Sequence, residues 1–84
     1  MDKIELVIQE IMGAVFEKAP ELINIESSQD NIDNWDSLKH FDLIVSLEEE
    51  FDIIFPVEEI GSMVSFKLIK VITEEQLQIE EKTY

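Results

Sequence analysis

Asp36, Ser37 and His40 stand within five consecutive positions of the stretch Asn34-Trp35-Asp36-Ser37-Leu38-Lys39-His40. A carboxylate, a hydroxyl and an imidazole are the parts of a nucleophilic triad, in which the base must reach the hydroxyl and the acid must orient the base. On one helical turn these three cannot aim at one another and at a substrate together, and nothing nearby supplies an oxyanion hole. Hydrolysis by Ser37 is therefore set aside. Two other uses of the hydroxyl stay open. Ser and Asp both cap helix N-termini, so Ser37 can be a cap and nothing more. If Asp36 takes the cap, Ser37 falls in the first turn with its hydroxyl free. A phosphoryl group attached there would sit at the positive end of the helix, where anions gain about 0.3–1 kcal/mol. That position suits a phosphodiester.

No metal chemistry is expected. His40 is the only histidine and the chain has no cysteine, so no His- or Cys-rich transition-metal site can form. The imidazole is expected to be a partly covered structural group bonded to Asp36 one turn earlier. Counted from Asp30, a calcium loop would need an oxygen ligand third and a glycine sixth, but Ile32 and Trp35 occupy those positions. Loose divalent-ion binding to clustered acids is compatible with the charge. Met12 and Met63 read as core, and Trp35 reads as a loop anchor that could also border a group carried on Ser37.

The elements that position these residues follow from apolar spacing. Ile4, Val7, Ile8, Ile11, Val15 and Phe16 recur at helical steps, with Asp2 as N-cap and Glu5 as its partner three residues on. This first helix ends before Pro20. The stretch 19–36 turns polar, with Leu22, Ile23, Ile25, Ile32 and Trp35 as expected anchors to the core; a connection this long carries function or pins itself down. Ser37 to Phe51 is the second helix, with Phe41, Ile44, Leu47 and Phe51 as its expected core stripe. Pro56 opens a short third helix, Glu58 and Glu59 lie near its positive end, and Gly61 ends it. Ser65 caps a fourth helix carrying Phe66, Ile69, Ile72 and Leu77. The end from about residue 78 is expected to fray. The fold class predicted is all-α: one domain over residues 1–84, a small four-helix bundle with a long loop between helices one and two and a short third helix.

Composition narrows what such a bundle can do. The 84 residues leave room for one core and hardly for a deep cleft as well. With 45% hydrophobic residues the chain packs, so the net charge of −14 belongs on its surface. A surface this acidic repels nucleic acids and anionic lipid, and attracts Lys- and Arg-lined proteins. The absence of cysteine suits a reducing compartment. The N-terminus has no basic region followed by an apolar run, and no apolar stretch reaches the ~20 residues that span a bilayer. A cytoplasmic monomer without membrane insertion is expected.

At 100° per residue a second face appears on the second helix, beside the core stripe: Leu38, Asp42, Val45 and Glu49. Spacing leaves two readings open. Leu38 and Val45 pack under the long loop while the carboxylates solubilise, or the apolar pair seats in a partner's pocket while Asp42 and Glu49 meet Arg or Lys at its rim. Lys39, Ser46 and Glu50 form a third face that reads as plain solvent.

Asp36-Ser37-Leu38, followed by Ser46-Leu-Glu-Glu-Glu-Phe51 and then Pro56, resembles the acyl carrier proteins. The correspondence runs without gaps from about residue 30 to 66 and more loosely over helix one. The resemblance implies that a phosphopantetheinyl transferase joins the phosphopantetheine of coenzyme A to Ser37, beside Asp36, and that the terminal thiol carries an acyl group as a thioester. It implies no catalytic activity of the chain itself. It places Leu38, Asp42, Val45 and Glu49 where the family docks its partners, which would be acyl-transferring, ketosynthase or ligase-type enzymes with basic docking surfaces. It also implies that an acyl chain can slip between the helices. Lys39, Trp35 and Asp52 depart from the commonest fatty-acid pattern, and Lys39 adds positive charge beside the attachment point. The stretch from Asn34 to His40 looks more like stand-alone carriers dedicated to polyketide or specialised lipid assembly, and the absence of a Gly-Gly before the serine speaks against a peptidyl carrier. The competing reading is an acidic helical adaptor that docks a basic partner without being modified.

Overall fold

The protein was analysed as a computed structural model, which describes residues 2–82, the side chains of 80–82 excepted. Four α helices follow in order: α1 (Lys3–Phe16), α2 (Ser37–Phe51), α3 (Val57–Ile60) and α4 (Phe66–Lys82), with a single 3-10 turn at Pro20–Leu22. Among the described residues there is no strand, only an isolated antiparallel bridge between Ser28 and Ser65. The class is the all-α one read from the sequence.

Three of the four helices, α1, α2 and α4, start where a side chain satisfies a first-turn amide, whereas α3 starts after Pro56 without one. The Asp2 carboxylate accepts from the Glu5 amide at 2.8 Å and the Glu5 carboxylate accepts from the Asp2 amide at 2.9 Å, a complete capping box. Asp36 caps α2 by accepting from the Lys39 amide at 2.8 Å, and the Ser65 hydroxyl accepts from the Leu68 amide at 3.2 Å. Two helices end on side-chain-bearing residues in the left-handed region: Glu17 at φ 56° and Asp52 at φ 55°. Asp and Glu pay a steric penalty there that glycine avoids. After α2 the turn is held because the Glu48 carboxylate accepts from the Phe55 amide at 2.9 Å. Gly13, by contrast, is required: a Cβ there would stand 2.9 Å from the Lys18 carbonyl oxygen, where the chain folds back onto α1.

One core runs through the bundle, built from Ile8, Met12 and Phe16 of α1, Leu43, Ile44 and Leu47 of α2, and Phe66, Ile69 and Ile72 of α4, with Ile53, Phe55 and Met63 from the segments around α3. The long loop closes it with Ile23, Ile32 and Trp35. Backbone and amide bonds pin that loop. Gln9 Nε2 donates to the Ile23 carbonyl, Asn34 Nδ2 to the Phe16 carbonyl at the end of α1, and the Gln29 and Phe66 amides bond across to Val64 and Ser27.

Three expectations need correction. Phe41 is not in the core stripe: it is 64% exposed, and Leu43 takes its place. The apolar residues of α2 span an arc of about 160° from Leu43 to Phe41 at 100° per residue, too wide for one buried face. With Leu43 buried and the His40 ring bonded to the loop and α3 on the same side of the helix, Phe41 is turned outward. Leu22 and Ile25 do not anchor the loop but lie on its surface. Pinning by backbone bonds and by Ile23 and Ile32 leaves them nothing to cover. Helix α4 extends to Lys82, and the end expected to fray from about residue 78 lies partly outside the described residues. The third face of α2 is not plain solvent, because Lys39 and Ser46 are half-buried over α1.

Candidate attachment and docking site

Ser37 is the first residue of α2, directly behind its cap Asp36. Its side chain is exposed, and its hydroxyl makes no hydrogen bond among the described residues. As in any helix, the amides of the first turn have no partner within the helix; Asp36 satisfies that of Lys39. The hydroxyl therefore stands free at the positive end of the helix. The capping role belongs to Asp36, which settles the alternative left open by residue type alone.

Beside the hydroxyl is a cavity of about 250 Å³ lined by Gln29, Ser37, His40, Gly61 and Val64. The loop, α2 and the end of α3 each contribute a wall. A flexible arm on Ser37 fits the setting: an accessible, unbonded oxygen at a helix N-terminus, with a partly apolar recess next to it.

The imidazole of His40 is not bonded to Asp36, as was expected. Trp35 Nε1 lies 3.0 Å from His40 Nδ1, and His40 Nε2 lies 2.8 Å from the Ile60 carbonyl oxygen. The side chain at i−4 points at the amides of its own first turn, so the ring turns to the loop and α3 instead. The buried Trp35 indole also packs on Phe16 with ring centroids 4.8 Å apart. Trp35 is thus the loop anchor foreseen, and its polar edge is spoken for by His40.

Lys39 does not add charge on the cavity side of Ser37. Its ammonium lies 3.4 Å from the Glu17 carboxylate at the end of α1, and its side chain lines a different groove with Ala14, Val15, Phe41, Asp42, Val45 and Ser46. A cation in the first turn of a helix is unfavourable, and Glu17 offsets it.

On the outer face of α2, Leu38 is 70% exposed, Asp42 and Glu49 are exposed and Val45 is half-buried. Leu38 does not pack under the loop. Phe41 belongs with it, a residue missed as a surface group; its spacing of three from Leu38 and four from Val45 was the available signal. Beyond Val45 a further groove of about 510 Å³ carries Glu48, Glu49 and Asp52 over Ile53 and Ile54. Ile54 and Val57 extend the exposed apolar surface. Large exposed apolar side chains thus stand among carboxylates on this side of the molecule. Among the described residues no group of three His, Cys, Asp or Glu is placed to hold a metal ion, and no helix is long and apolar enough to cross a membrane.

Comparison with known proteins points the same way. No family model matches the chain, and no curated protein does. Among solved structures it is similar to a holo acyl carrier protein from Geobacter metallireducens determined by solution NMR, with a TM-score of 0.80, 28% identity, and coverage of 93% of this chain and 90% of that one. That neighbour is a carrier protein, not an enzyme, and the match supports a carrier role in general terms.

Proposed function

We propose that the chain is one acyl-carrier domain that works in the cytoplasm with Ser37 as the attachment point of phosphopantetheine. The observation that carries this reading is the free, exposed Ser37 hydroxyl at the start of a helix already capped by Asp36, in a chain similar to a holo acyl carrier protein. When attached, the group supplies a terminal thiol that can hold an acyl chain as a thioester. The chain's own residues do the rest. Asp36 holds the helix start, so the first-turn amides face a phosphate on Ser37. Leu38, Val45 and Phe41 offer apolar anchors to a partner, while Asp42 and Glu49 at the rim attract its Arg and Lys and speed encounter. The partners are then a phosphopantetheinyl transferase and acyl-transferring, ketosynthase or ligase-type enzymes. Lys39, 3.4 Å from the Glu17 carboxylate, borders this face in the groove shared with Phe41, Asp42 and Val45.

The test is the intact mass after incubation with coenzyme A and a permissive transferase, beside Ser37→Ala. A gain of one phosphopantetheine by the wild type alone is the expected result. No gain with several transferases, on a chain that is demonstrably helical, overturns the carrier reading in favour of an unmodified acidic adaptor.

A further inference from the structure

The chain has one tryptophan and one histidine, and they are bonded to each other. An indole N–H can only donate, so His40 Nδ1 must accept. In a neutral ring the proton then sits on Nε2, which lies 2.8 Å from the Ile60 carbonyl oxygen, a group that can only accept. Both contacts are satisfied together by a single form of the side chain, the neutral Nε2–H tautomer. That ring joins three elements: the loop through Trp35, α2 through its own backbone, and the end of α3 through Ile60. It is also a wall of the cavity beside Ser37.

We infer that His40 is a positioning residue acting as a one-proton strap: its neutral ring holds the loop against α2 and α3 and keeps the recess beside Ser37 in shape, and protonation releases the loop side alone. The strap is a property of the unmodified chain and stands whether or not Ser37 is ever modified. Proton balance decides which side lets go. A proton from solvent takes the Nδ1 lone pair that accepted the Trp35 N–H, so two donors then face each other. The Nε2–H bond to Ile60 is kept and gains charge assistance. The indole N–H, buried beside Phe16, is left without an acceptor. The segment freed is the one that runs up to Asp36, the residue before Ser37.

The charged residues within four positions of Trp35, His40 or Ile60 are Asp33, Asp36, Lys39, Asp42, Glu58 and Glu59, with Lys39 paired with Glu17. None of them bonds either ring nitrogen. His40 is the chain's one imidazole, so its ring protons report the protonation step directly.

The experiment follows the single indole N–H resonance and the imidazole C–H resonances of the unmodified protein by NMR from pH 8 to 5, with His40→Gln as a variant that cannot titrate there. The expected result is that the indole resonance moves in step with the ring protons. Its solvent exchange, corrected for the intrinsic pH dependence, should rise about tenfold, the factor for one lost hydrogen bond of ordinary strength. Amides of α3 should keep their protection. In His40→Gln the indole step should vanish. An indole resonance that stays still while the imidazole titrates overturns the strap, as does an indole step that persists in His40→Gln. Loss of α3 protection together with the loop would replace selective release by general acid loosening and would also overturn it. Should the variant not fold, the wild-type comparison of indole against α3 amides decides alone.

Discussion

The starts of α1 and α2 are built from the same first residue and end up as opposites. Asp2 and Asp36 are both N-caps, each accepting from the amide three residues on at 2.8 Å. At α1 the third helical residue is Glu5, which closes the capping box, and Lys70 of α4 reaches both carboxylates at 3.4 Å. Every strong group there has a partner. At α2 the third residue is Lys39, whose ammonium turns away to Glu17, and the hydroxyl of Ser37 is left free beside a cavity. One helix start is tied down on every side and the other leaves a hydroxyl free. A cap alone does not make a site; what surrounds it decides.

The largest effect that can break this contrast is all-or-none. Lys3 occupies at α1 the place of Ser37 at α2, so Lys3→Ser builds a second capped serine. Under transferase and coenzyme A, Lys3→Ser should gain one phosphopantetheine and not two, and Lys3→Ser combined with Ser37→Ala should gain none. Modification of the new serine would show that a capped serine suffices and that the α2 face is idle.

Cap removal sharpens the contrast next. Asp36→Ala should cost about 1 kcal/mol, lowering Tm by roughly 4–8 °C in a domain of this size. Asp2→Ala should lower Tm further, because it opens the box and strips a partner from Lys70 as well. Equal losses in thermal melts would mean that the α1 start is no more tied down than the α2 start.

Salt should act in the opposite direction at the two places. With 20 acidic against 6 basic side chains, screening relieves repulsion, and the melting temperature at neutral pH should rise with added salt or divalent cation. Lys70→Gln, which unpairs Asp2 and Glu5, should make that rise steeper. A wild-type melting temperature indifferent to salt would remove self-repulsion from the account.

The smallest effect is an acid titration. The backbone bond from Glu5, against slight desolvation, and then Lys70 hold the Asp2 carboxyl below its ordinary value of 3.8. On Lys70 desolvation pulls the ammonium down, but bonds to Asp2 and Glu5 outweigh it and the net shift is upward from 10.5. A depressed carboxyl stabilises the fold fully above its unfolded value and loses that contribution as pH falls through the folded one. The difference in Tm between wild type and Asp2→Asn should therefore be constant above about pH 5 and shrink below 3.8. A difference that persists unchanged at the lowest pH would place its origin outside the carboxylate.

Much of this was legible in the chain itself. Caps are local, since a side chain three residues from an amide either reaches it or does not, and so Asp2 with Glu5, Asp36 and Ser65 could be named from spacing. The same holds for the four helices and for Ser37 as the position to watch, because apolar periodicity and first-turn chemistry are properties of a few consecutive residues. Only the tertiary structure decided which way α2 is turned about its axis. Leu43 and Phe41 compete for the core on either side of Ile44, and the tertiary packing buries Leu43, on the side where the His40 ring bonds to the loop and to the end of α3. It alone put Phe41 outside with Leu38 and aimed Lys39 at Glu17. It also joined Trp35 to Ile60 through one imidazole, since partners 20 residues away in sequence leave no periodic trace.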